Sequence, residues 1–172
     1  MATENSDARR NDSAEGAQRR RQEQLTEDLL RQLTFLAQEI RHANLIQLHR
    51  IAAAQMERAM EDPLLAEVVS TLPDLSERRR RQLIFVNMQY TAIVLQHRVG
   101  AMVWDELIGH LRVLCRSSAF DGYWEMTREH RKSLPRESLE ARVGAAVDVI
   151  VEELRDDPDE WWVVGQAGES GP

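Results

Sequence analysis

Leu25-Thr-Glu-Asp-Leu-Leu-Arg-Gln-Leu-Thr-Phe-Leu-Ala-Gln-Glu-Ile40 places Leu25, Leu29, Leu33, Leu36 and Ile40 at steps of four, four, three and four. Side chains three and four apart share one face of a helix, so the stretch reads as a helix with a single apolar stripe. The stripe continues through Ala43, Leu48, Ile51 and Ala59, and neither Pro nor Gly interrupts the chain from Ala17 to Asp62. One long helix ending near Met60 follows. At 1.5 Å per residue, Leu25 to Met60 would span roughly 54 Å, well beyond the ~30 Å of a small domain. Such a helix either bends or pairs its N-terminal half with something. A second copy of the chain is the simplest partner, because the stripe is like a coiled-coil seam.

The rest of the chain keeps the same period as far as Leu154, and alternating strand patterns are nearly absent. Asp62-Pro63 reads as a cap followed by proline at the first helical position, opening a short helix to about Thr71. Ser76 caps the next helix, predicted from about Glu77 to Arg98 and ended by Gly100. Its middle, Leu83-Ile-Phe-Val-Asn-Met-Gln-Tyr-Thr-Ala-Ile-Val-Leu95, is apolar on nearly every side, the pattern of a central buried helix. Helices are predicted from Trp104 to Arg116, from Ser118 to about Lys132, and from Glu137 to Arg155. The fold class is therefore all-α: a single bundle of five to seven helices with a long N-terminal helix.

Residues 1–22 are rich in Ser, Asn, Asp, Glu and Arg without an apolar stripe, so they read as a disordered arm. Residues 24–164 form the helical domain, and 165–172 read as a disordered Gly-containing tail. The 172 residues carry a formal net charge of -7, which argues against backbone-driven nucleic-acid binding. Cys115 is the single cysteine, so no intrachain disulfide forms and a reducing compartment fits. No apolar run approaches the roughly 18 residues of a membrane span, and the polar N-terminus is unlike a signal sequence. The expectation is a cytoplasmic protein.

No spacing in the chain meets the demands of a known reaction. Glu39 and His42 form one Glu-x-x-His step, and Glu106 and His110 lie one turn apart. A di-iron bundle needs two such steps plus two further inward glutamates, so neither a metal nor another cofactor is expected. The serines lack the strand-turn-helix setting of a nucleophile elbow, and Cys115 sits in an apolar stripe as a small core residue. No catalytic residue is assigned, and the chain reads as non-enzymatic.

Four features carry binding readings. Asn44, Gln47 and His49 suggest a buried hydrogen-bond network with Asn87, Gln89 and Gln96 as partners, or a small-molecule pocket. Arg78, Arg79, Arg80 and Arg81 crowd the first turn of a helix, where the macrodipole favours anions. Either Glu77, Asp74 and the acidic stretch at 156–160 offset them, or they bind an anion. Trp161 and Trp162 form an apolar tag that either clamps onto the protein itself or anchors a partner. Leu29, Leu33, Leu36 and Ile40 are the anchors expected for helix-in-groove docking.

Several blocks occur in a familiar order: Arg41-His-Ala-Asn-Leu-Ile-Gln-Leu-His-Arg50, Glu61-Asp-Pro-Leu-Leu-Ala66, Glu106-Leu-Ile-Gly-His-Leu-Arg112, Phe120-Asp-Gly-Tyr-Trp124, His130-Arg131 with Leu134-Pro135, and Asp159-Glu-Trp-Trp-Val-Val-Gly165. From Arg41 to Gly165 the chain resembles an actinobacterial family, abundant in streptomycetes and known as domain of unknown function 6082. The resemblance implies a helical domain and brings no catalytic residues. Many relatives carry a hydrophobic N-terminal segment suited to membrane anchoring. Here Leu25 to Ile40 has charges interspersed instead.

Three functional readings result. The first is a protein-interaction or regulatory module that self-associates through the N-terminal helix or docks a protein partner. The second is a sensor for a small anionic or amphipathic ligand between helices, drawing on Asn44, His49, Arg98, Trp124 and His130. The third is a membrane-associated signalling component, as in anchored relatives.

Overall fold

The computed structural model describes residues 4–70 and 75–156. Among them are seven helices and no strand: α1 (Glu4–Glu61), α2 (Pro63–Val69), α3 (Glu77–Arg98), α4 (Trp104–Cys115), α5 (Ser118–Met126), α6 (Arg128–Lys132) and α7 (Leu139–Asp156). The all-α reading with a long first helix holds. None of these helices is long and apolar enough to cross a membrane. The chain divides into two units, residues 1–47 and residues 48–172.

The described residues of the first unit all belong to α1. Helix begins at Glu4, so most of the arm predicted to be disordered is helical here; adding a residue to an existing helix is far easier than starting one. Leu25, Leu29, Leu33, Leu36 and Ile40 are each 54% to 62% exposed.

In the second unit, local chemistry sets each helix boundary. The Asp62 carboxylate accepts from the Leu64 backbone N–H at 2.9 Å, and Pro63 occupies the first turn of α2. Ser76 Oγ accepts from the Arg79 N–H at 3.3 Å to open α3. Gly100 closes it with φ of 76°, a left-handed conformation glycine adopts without penalty. The Ala101 N–H reaches Gln96 O and the Gly100 N–H reaches His97 O, the paired bonds of a Schellman ending. Glu106 accepts from the Val103 N–H at 3.0 Å, so this carboxylate serves as a cap for α4. The helix predicted from Ser118 to about Lys132 is broken at Thr127, whose hydroxyl turns back to Tyr123 O at 2.9 Å.

The main core joins α3, α4, α5 and α7. Val86 and Val94 meet Leu107, Leu111, Cys115, Phe120 and Trp124, and Val143, Val147, Ile150 and Val151 close the far side. A smaller cluster places Ala59 and Ala66 against Ile84, with Met56, Met60 and Met88 filling around them. Methionines suit that irregular space because their thioethers adapt to it. α3 is less enclosed than its apolar run predicts: Phe85 is 51% exposed and Gln89 is also exposed. Burial covers only the face bearing Leu83, Ile84, Val86 and Val94.

Candidate functional site

Two arrangements stand out, one in each unit. On α1, 3.6 residues per turn rotate each successive side chain by about 100°, so Leu25, Leu29, Leu33, Leu36 and Ile40 fall within an arc of about 80°. The four predicted anchors Leu29, Leu33, Leu36 and Ile40 thus share one exposed face. Beside it, Arg31 pairs with Asp28 at 2.8 Å, and His42 lies 3.5 Å from Glu39. The Asp28 and Arg31 charges are balanced within the helix itself.

The second arrangement is polar and aromatic. Trp124 is buried against Phe120, with ring centroids 5.5 Å apart and planes only 15° from parallel. Tyr90 meets the Trp124 ring edge-on at 5.5 Å. The guanidinium of Arg131 covers Trp124 at 3.5 Å from the ring centroid. The same group donates to Trp124 O, to Thr127 Oγ1 at 2.7 Å, and to Asp148 at 3.4 Å. Asp148 also accepts from the Trp124 indole N–H at 2.6 Å. One exposed carboxylate therefore orients both an indole and a guanidinium. Burial pulls the Arg131 pKa down from its usual value, and Asp148 opposes that pull.

Beside this stack, the Tyr123 hydroxyl donates to Asn87 Oδ1 at 2.8 Å, and the Asn87 amide nitrogen lies 3.7 Å from Met56 Sδ. This corrects the predicted polar network. Asn87 does form a link between elements, but its partners are Tyr123 and Met56. Gln89 and Gln96 are exposed, as are Asn44 and Gln47. The pattern of polar residues on two helices gave the right residue in α3 and the wrong partners, because helix rotation about its axis is set by packing.

Of the other predicted ligand residues, His49 is half-buried, Arg98 pairs with Glu140, and His130 is exposed. Trp124 and His130 come together in the wall of one cleft, which Arg98, Asn44 and His49 do not line. Arg78 is exposed, whereas its three neighbours turn to specific partners. Arg79 bonds Gln82 at 3.5 Å and lies against Gly122, Arg80 is 3.4 Å from Glu67, and Arg81 pairs with Glu77. Glu77 and Glu67 thus offset part of the basic run; of the acidic stretch proposed for that task, only Asp156 is described, and Asp74 is not. Trp161 and Trp162 also lie outside the described residues. Sequence reasoning missed Arg131, Asp148 and Tyr90. The nearness of Arg131 in sequence to the aromatic run ending at Trp124 is a signal that could have found it, whereas no local signal marks Tyr90 or Asp148.

A family model described as a family of unknown function, DUF6082, matches residues 8–162. No curated protein and no solved structure matches the chain.

Proposed function

This chain belongs to the family of unknown function DUF6082, and we propose that it is a non-enzymatic interaction module that pairs with a second copy of itself through the apolar stripe of α1. The observation that carries this reading is the stripe: five large apolar side chains within one narrow arc, all more than half exposed. Identical copies meet most simply about a two-fold axis, which sets each stripe against its equal. Charge permits it. The chain as a whole is acidic, but beside the stripe Asp28 is paired with Arg31.

Magnitudes set the strength of the pair. Covering about half of the exposed parts of these side chains on two helices is worth on the order of 10 kcal/mol. Lost translational and rotational freedom costs a comparable amount, roughly 4–15 kcal/mol. The stripe alone therefore gives a reversible pair whose population depends on concentration.

Sedimentation equilibrium from low to high micromolar concentration tests the reading. The molar mass is expected to rise toward twice the chain mass, and the double variant Leu33→Glu, Leu36→Glu is expected to remain a monomer with unchanged helicity. A wild-type chain that stays monomeric at high micromolar concentration refutes the pairing. Binding of that monomer to neutral phospholipid vesicles, lost in the double variant, would assign the stripe to a membrane surface instead.

A further inference from the structure

A cleft of about 520 Å³ opens beside the Trp124–Arg131 stack, walled mainly by α3, α5 and α6. All its lining residues lie between Met56 and Glu140, so it is separate from the α1 stripe and independent of the pairing reading. Its size falls within the ~300–1,000 Å³ usual for small-molecule sites. Two kinds of wall face each other in composition. Met56, Leu83, Ile84, Met126 and Leu134 supply apolar surface. Asn87, Tyr90, Arg80 and Arg131 supply hydrogen-bond donors.

Several of those donors are unspent among the described residues. The Tyr90 hydroxyl makes no hydrogen bond there, although Tyr90 is half-buried. Tyr123 occupies the Asn87 carbonyl oxygen, which leaves the amide nitrogen only the Met56 sulfur, a weak acceptor. Arg80 Nε also lacks a partner but is shut off from solvent, so Arg80 contributes its charge rather than that donor. The Tyr90 hydroxyl is open to the cleft rather than sealed in the core, so a ligand acceptor can reach it in place of water. Charge points the same way. Arg80 and Arg131 are each 14% exposed; their carboxylate partners Glu67 and Asp148, each 3.4 Å away, are more than 60% exposed and do not line the cleft, and the carboxylate of the wall, Glu140, is paired with Arg98. The larger groove along α7 has no such bias, since Arg128, Lys132 and Arg155 alternate there with Glu125, Glu152 and Asp156.

We propose that this cleft binds a small amphipathic carboxylate, its head group accepting from Asn87 and Tyr90 near Arg80 and Arg131, and its apolar body lying against Leu83, Ile84 and Met126. The head group would satisfy donors the fold leaves open, and two half-buried guanidiniums would favour the anion over a neutral analogue.

Calorimetric titration of the full chain with decanoate, decanol and decylamine, each below its aggregation threshold, tests the assignment. Decanoate is expected to bind, with decanol at least tenfold weaker and decylamine weaker still. Amide shifts in a heteronuclear NMR spectrum are expected around residues 87–91 and 123–131. Tyr90→Phe and Asn87→Ala, checked for folding by circular dichroism, should each weaken decanoate about ten- to a hundredfold, the loss of one hydrogen bond to a charged group. The Leu33→Glu, Leu36→Glu chain should bind decanoate as the wild type does, so failure of pairing and failure of the cleft can be told apart. No heat and no shifts at millimolar decanoate overturn the proposal. Equal binding of decanoate and decanol, or shifts confined to residues 25–40, overturns it as well.

Discussion

The guanidinium of Arg131 lies 3.5 Å from the Trp124 ring centroid, and both side chains converge on the Asp148 carboxylate. α5, α6 and α7 are thereby joined through one stacked and hydrogen-bonded unit. Arg131→Ala removes the cation–π contact and leaves Trp124 O and Asp148 short of a donor. A loss of at least about 2 kcal/mol is expected. Arg131→Lys should recover less than half of it, since an ammonium lacks the planar fork that stacks on indole while bonding sideways. Urea denaturation midpoints of the three proteins measure this. A loss under about 0.5 kcal/mol for the alanine variant would show that the stack is merely a surface contact.

Leu107 and Leu33 are both helical leucines, one fully buried and the other 60% exposed. Leu107→Ala opens a cavity between α4 and its neighbours and is expected to cost about 2–5 kcal/mol. Leu33→Ala should leave the cooperative unfolding of the helical domain within about 0.5 kcal/mol of wild type, while weakening self-association. Thermal unfolding at low protein concentration, combined with sedimentation at high concentration, separates the two effects.

Burial pushes the Cys115 thiol from 9.0 up to about 12, with nearby Arg112 opposing it. Burial likewise pushes the Tyr123 hydroxyl from 10.0 up to about 12. Both groups are neutral when protonated, so the folded chain retains protons that the unfolded chain releases. Their contribution is complete below about pH 9 and is lost as the pH rises through about 12. The urea midpoint should therefore fall between about pH 9 and pH 11, and Cys115→Ala should flatten the earlier part of the fall. A midpoint unchanged over that interval contradicts the assignment.

Gly122 lies inside α5, and a methyl group placed there would collide with the Arg79 guanidinium. Alanine gains up to about 1 kcal/mol of helix propensity over glycine, but here it must displace Arg79. Gly122→Ala is expected to be close to neutral in the wild-type chain and stabilising by about 1 kcal/mol when combined with Arg79→Ala. The double-mutant cycle reads the contact directly. Equal effects in both backgrounds would mean that the arginine does not rest on that backbone.

Helix positions were legible in the sequence because their causes are local. Asp62-Pro63, Ser76 and Gly100 act on backbone groups within a few residues, and they open or close α2 and α3 where predicted. The spacing of Val143, Val147, Ile150 and Val151 at steps of three and four is likewise a local property, and these residues are buried on one face of α7. The exposed stripe of α1 was legible for the same reason, as a property of one helix alone.

The candidate ligand site was only partly legible. Trp124, His130 and Asn87 were singled out, whereas Tyr90, Arg131 and Asp148 were not. Their meeting depends on pairs far apart in the chain: Asn87 with Tyr123, Trp124 with Asp148, and Arg98 with Glu140. Periodicity tells which face of a helix is apolar, but not which helix will cover it or at what rotation. That choice is made by the packing of Val86, Leu107, Leu111, Phe120 and Val147 into one close-filled core. Only once those volumes interlock do the polar side chains at the rim acquire partners, and a cleft acquire walls.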